Sequence, residues 1–125
     1  MTKIYDLTNM DADEDEPFVY AVHPVKDDVR SAETFGEIVY LNDRYVYPDE
    51  LGDGGELPAV VMSKLTEGAN DFEPTLDYLL LVGDHVQQAF LIYKLAQLGK
   101  SFRLLRYDRQ ARGYVPVQIG DAQPT

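Results

Sequence analysis

Cysteine is absent from this chain, so no disulfide, thiolate metal site or thiol nucleophile can be built from it. Serine occurs only at Ser31, Ser63 and Ser101, none within a G-x-S-x-G elbow and none beside a recognisable triad partner. The two histidines, His23 and His85, lie far apart and outside any H-x-x-x-H ligand pair. The clustered glycines of a phosphate-binding loop are missing, as is the D-x-[DN]-x-[DN]-G order of an EF-hand. No apolar run approaches the roughly 20 residues that span a bilayer, and Met1 to Glu16 has no apolar signal-peptide core. These absences lead to the expectation of a soluble, cytoplasmic protein that is not an enzyme, with no cofactor, no metal and no membrane partner.

Charge of one sign is also scarce over most of the chain. Residues 1–78 hold 19 acidic and 5 basic side chains, whereas residues 79–125 hold 3 acidic and 6 basic ones, within a total of −11. An acidic front joined to a mildly basic back repels nucleic acid and favours basic proteins, an effect that salt screens. Solubility is the plainer reason for such a surface.

The stretch with the most consistent local signals runs from Thr75 to Ile119. Leu79, Leu80, Leu81 and Val82 form a continuous apolar run suited to a central strand covered on both faces. Gly83 permits a sharp turn, Asp84 is a good helix N-cap, and Gln87 three residues on completes a capping-box pattern. The spacing predicts a helix over 85–98 with Val86, Ala89, Ile92, Tyr93 and Ala96 facing inward and Gln87, Lys94 and Gln97 facing out. Gly99 ends it, with Lys94 and Lys100 near its carbonyl end. Phe102 to Asp108 alternates as a strand, parallel to the first through a right-handed crossover. A hairpin over 109–113 leads to a last strand whose Val115, Val117 and Ile119 share a face; Pro116 puts that strand at the sheet edge.

Upstream, Lys3 to Leu7 and Phe18 to Val22 read as strands, the second ended by His23-Pro24. Between them Asp11 to Glu16, DADEDE, places five acids in six residues, and residues 10–17 are expected to form a mobile acidic loop. Asp27 or Asp28 would cap a short helix through Phe35, meeting the core with Val29, Ala32 and Phe35. EIVYLNDRYVYP reads as a hairpin turning at Asn42-Asp43. After the acidic, glycine-rich loop over 49–56, a helix is expected from Pro58 to about Gly68. The fold class is therefore α/β to α+β: one domain over 1–125, with a mixed sheet, one β-α-β crossover, a C-terminal edge hairpin and about three helices.

Three groups of residues stand out as candidate sites. The acids Asp11, Asp13, Glu14, Asp15 and Glu16, together with Asp49, Glu50, Asp53 and Glu56, form a docking surface for a basic partner if the fold gathers them on one face. The second group of four is able to hold no more than a loosely bound hard cation. Arg106, Arg109 and Arg112 with Tyr107 and Tyr114 form the one basic and aromatic cluster, suited to an interface or to a solvated edge hairpin. Residues three apart on a strand face opposite ways, so these arginines cannot all join one patch. Gly83, Asp84 and His85 follow a parallel strand, where α/β proteins bind anions and nucleotides, but capping alone explains Asp84 and its carboxylate occupies the anion's place.

DYLLLVGDHVQQAF followed by RLLRYDRQARGYVPV is similar to segments of small proteins encoded by tailed bacteriophages, over roughly Asp77 to Val117. The resemblance implies a phage-encoded accessory protein acting in the host cytoplasm; it carries no functional residue with it. The leading expectation is a non-enzymatic acidic interaction module that docks on a basic host or viral protein, in its sharpest form a nucleic-acid mimic. Direct binding of nucleic acid is not expected. The alternatives are a small-molecule or nucleotide-binding domain using the 82–85 turn, and a self-assembling homo-oligomer.

Overall fold

The computed structural model describes residues 3–4 and 16–120. Its six strands are β1 (Lys3–Ile4), β2 (Phe18–Ala21), β3 (Glu37–Tyr40), β4 (Tyr78–Leu80), β5 (Phe102–Asp108) and β6 (Gly113–Ile119), ordered β1-β3-β2-β4-β5-β6 in one sheet. Only β6 is antiparallel to its neighbour. The expected mixed sheet, crossover and C-terminal edge hairpin are present, and β4 is interior as its apolar run requires. The crossover through α2 (His85–Gln97) is joined by two more, through α1 (Ala59–Asp71) and through a 3-10 helix, Arg30–Phe35. Most of the expected acidic loop lies outside the described residues.

From β2 the chain steps to β3 on one side, and from β3 it steps across β2 to β4 on the other. Right-handed connections then require the intervening helices to lie on opposite faces. They do: Leu65 and Ala69 of α1 and Leu91 and Leu95 of α2 pack on Tyr20, Val22, Val39 and Leu79. Val29, Ala32 and Phe35 pack on Val19, Ala21, Ile38 and Leu80. Alternate residues of β2 feed the two layers, and all four are buried. Tyr20 meets Phe72 edge-on at 5.3 Å, a geometry worth about 1 kcal/mol beyond the area buried.

Several local expectations are corrected by tertiary partners. The hairpin over 37–48 does not form; β3 pairs in parallel with β2, and Leu41 and Asn42 continue to donate to the carbonyls of Ala21 and Val22. The helix after Pro58 runs on to Asp71, and Gly68 is buried inside it. A Cβ at Gly68 would stand 2.6 Å from a Leu41 methyl, so the residue serves helix–sheet approach rather than termination. Lys100 caps α1, not its own helix, donating to the carbonyls of Ala69, Asn70 and Phe72 at 2.7–3.0 Å. Most consequentially, α2 is rotated from the orientation its hydropathy suggests. Gln87, Gln88, Leu91 and Leu95 are buried, while Val86 and Tyr93 are more than half exposed.

At the other end of the sheet, buried Asp77 accepts from the amides of Phe18 (3.0 Å) and Glu73 (2.8 Å), tying the start of β2 to the start of β4. Burial pushes its carboxyl from the ordinary 3.8 up to about 6, against the two amides that favour the anion. The folded state thus holds this proton more tightly than the unfolded chain. Stability from Asp77 should be complete below about pH 4 and be lost as pH rises through about 6, amounting to roughly 2–3 kcal/mol. Asp28 and Glu50, held near 2 by Arg30 and Arg44, titrate below that window. A carboxyl carbon-13 titration of Asp77 should give a midpoint near 6, and urea stability should fall between pH 4 and 7 more in the native chain than in Asp77→Asn.

Candidate functional site

The reversal of direction between β2 and β4 is a topological switch point, and the carboxyl ends of these strands are where an α/β sheet opens a crevice. Val22 and His23 leave β2 there, and Gly83 and Asp84 leave β4. The two exits are joined by one buried hydrogen bond: the Asp84 amide donates to His23 Nε2 at 2.9 Å. His23 Nδ1 lies 2.7 Å from the Pro24 carbonyl, which can only accept, so Nδ1 carries the ring proton and Nε2 is free to accept. Gly83 has φ +90°, and a Cβ there would lie 2.9 Å from His23 Nε2. Both the backbone angle and the closeness of the imidazole require glycine.

The buried Asp84 carboxylate caps α2 through the Val86 amide at 3.0 Å. Its other oxygen accepts from the Val46 amide (3.1 Å) and from Gln87 Nε2 (3.0 Å). Gln87 also donates to the Arg44 carbonyl and accepts from Asn42 Nδ2, while Gln88 Nε2 donates to the Gly83 carbonyl. The capping box is thus replaced: Gln87 serves the loop after β3, and His23 takes the N-cap amide. This polar cluster explains the rotation of α2, because glutamines turned outward would leave the Arg44 carbonyl and Asn42 without these partners.

Beside this cluster, at the carboxyl end of the sheet, lies a cleft of about 860 Å³. The loop after β2 and the 3-10 helix that follows it contribute Val25, Asp27, Asp28 and Ser31; the loop after β3 contributes Tyr45; the turn after β4 and the first residue of α2 contribute Leu81, Val82, Gly83 and His85; the β5–β6 hairpin contributes Tyr107, Arg112 and Tyr114. Two groups singled out separately in the sequence therefore meet, the 82–85 turn and the basic, aromatic hairpin. Asp84 does not line the cleft, being occupied within the fold, and neither do Arg106 and Arg109. Tyr107 and Tyr114 meet edge-on at 5.5 Å. Burial first, and then the nearby Asp27, raises the pKa of the Tyr114 hydroxyl. Asp28 is held bidentately by Arg30, with Nη2 to Oδ2 at 2.9 Å.

Sequence reading missed Val25, Asp27, Asp28, Ser31, Tyr45 and Leu81 as lining residues, the last being expected inside a strand covered on both faces. The available signal was positional: Asp27 and Asp28 closely follow the end of a parallel strand. The acids Asp49, Asp53 and Glu56 are exposed on the loop before α1, with Glu50 bound to Arg44. Asp11, Asp13, Glu14 and Asp15 lie outside the described residues, and Glu16 is exposed. Among the described residues no cluster of three or more His, Asp or Glu side chains could hold a metal ion, and no helix is long and apolar enough to cross a membrane.

Replacing Gly83 by alanine should cost at least about 2 kcal/mol in urea denaturation, from a left-handed backbone and a collision with a buried ring. Gly99, at φ +70° with open space around it, is the control; Gly99→Ala should cost only about 1 kcal/mol. Equal costs would mean that the His23 contact does not constrain the turn.

Residues 17–120 match the model of one protein family, described as Phage Pam3 gp32-like protein. No curated protein and no solved structure matches the chain.

Proposed function

The chain belongs to the Phage Pam3 gp32-like family and is on that ground a phage protein, and from this premise we propose that it is a non-enzymatic binding module whose working surface is the cleft at the switch point. The observation that carries this reading is the convergence of four connecting segments on one concavity at the carboxyl ends of the strands. Its size is within the range of small-ligand pockets. Tyr45 and Tyr107 are 43% and 54% exposed at its surface, offering apolar area with polar edges before anything binds. This favours the small-ligand reading of the 82–85 turn, with Asp84 reassigned from ligand contact to scaffold.

Docking of an acidic surface on a basic host or viral protein in the host cytoplasm is the second reading. It is favoured by the net charge of −11 and by the exposure of Asp49, Asp53 and Glu56. The two readings separate in one experiment. A panel of nucleotides, amino acids and other metabolites is screened by thermal shift against the native chain and Tyr107→Ala. A cleft ligand at about 100 times its dissociation constant should add roughly 2.7 kcal/mol, and the gain should shrink in the variant. A silent panel, together with a basic lysate protein that binds both chains alike and is released by salt, would replace the cleft reading with the docking one.

A further inference from the structure

Among the described residues, the cleft holds one acid and one cation that have no ion-pair partner. Asp28 is neutralised by Arg30, but Asp27 and Arg112, which line the cleft from different loops, form no ion pair with each other or with any described residue. A ligand of a single charge sign would meet attraction at one and repulsion at the other. A ligand carrying both signs would meet two charge-assisted hydrogen bonds. The exposed Tyr45 and Tyr107 rings offer contact for the carbon skeleton between those ends.

Arg112 adds a second observation. It is the one non-glycine residue with positive φ among those described, at +55°. Glycine and asparagine enter that region at less cost, so the hairpin turn has no conformational need for arginine there. Asp27 is exposed on the wall of the cleft that also carries Tyr114.

We propose that the cleft recognises a small zwitterion, its ammonium at Asp27 and its carboxylate at Arg112. Free amino acids and short peptides with unblocked ends share this chemistry. The inference rests on the cleft being the ligand site.

The test is a calorimetric titration at low salt of free amino acids and di- and tripeptides, each beside its N-acetylated and its C-amidated form, with nucleotides as anionic comparators. At least one zwitterion should bind tenfold or more tightly than either blocked form. Asp27→Asn should abolish the advantage over the acetylated form. Arg112→Asn should abolish the advantage over the amide while leaving the melting temperature unchanged or raised, a pairing that a purely structural arginine would not produce. Preference for free peptides over amino acids, or the reverse, assigns the source. Blocked forms that bind as well as free ones, or variants that fail to discriminate, overturn the zwitterion. A nucleotide that binds and is lost in Tyr107→Ala overturns it too but keeps the cleft, whereas silence from every class removes both readings.

Discussion

One hydrogen bond, from the Asp84 amide to His23 Nε2, fixes the geometry on which the rest of the carboxyl end depends. It ties the exits of β2 and β4 where the strand order reverses, and it needs a glycine at 83 to let the imidazole approach. Because the imidazole takes the N-cap amide, Gln87 is released from that capping-box role and joins the Val86 and Val46 amides in donating to the Asp84 carboxylate. In this buried polar cluster the Asp84 carboxylate and the Gln87 side chain are satisfied, while Gln88 Oε1 is buried without a partner among the described residues. An orphaned buried partner costs about 1–3 kcal/mol, so each member enforces the placement of the others.

The consequence for function is a separation of roles along one short turn. Asp84 faces the interior and builds the scaffold; Gly83 and His85 face the cleft, next to Tyr45 from another loop. His23 meets the Tyr45 ring edge-on at 6.3 Å, and Tyr45 lies tilted against Tyr47 at 4.9 Å, so the knot also braces one aromatic side of the cleft. The opposite side depends on the β5–β6 hairpin, whose Gly113 stands against Ser31. A rigid floor with side chains supplied by connecting loops is the arrangement that lets a sheet present a binding surface.

Where local chemistry decided the outcome, the sequence was legible. Leu79 and Leu80, the Gly83-Asp84 cap and Pro116 at the edge specified β4, the start of α2 and β6, but the expected strand over 79–82 stops at Leu80, and Leu81 is exposed at the cleft. Where distant partners decided it, the sequence misled. Gln87 and Gln88 look like solvent residues, and only the Arg44 carbonyl, Asn42 and the Gly83 carbonyl make them core ones. Asn42 looks like a turn residue, yet its amide is used 45 positions away by Gln87. Lys100 stands next to the end of α2 and caps α1. The cleft itself was legible only as two unrelated fragments, because its walls come from four segments that only the strand order brings together.

The most direct test of this account is the tautomer of His23, read from long-range proton–nitrogen-15 correlations, together with hydrogen exchange at the Asp84 amide. The switch-point knot predicts a proton on Nδ1, an unprotonated Nε2, and an Asp84 amide protected like those of the central strands. A proton on Nε2, or an Asp84 amide that exchanges as fast as those of the exposed loop at 52–56, would contradict it.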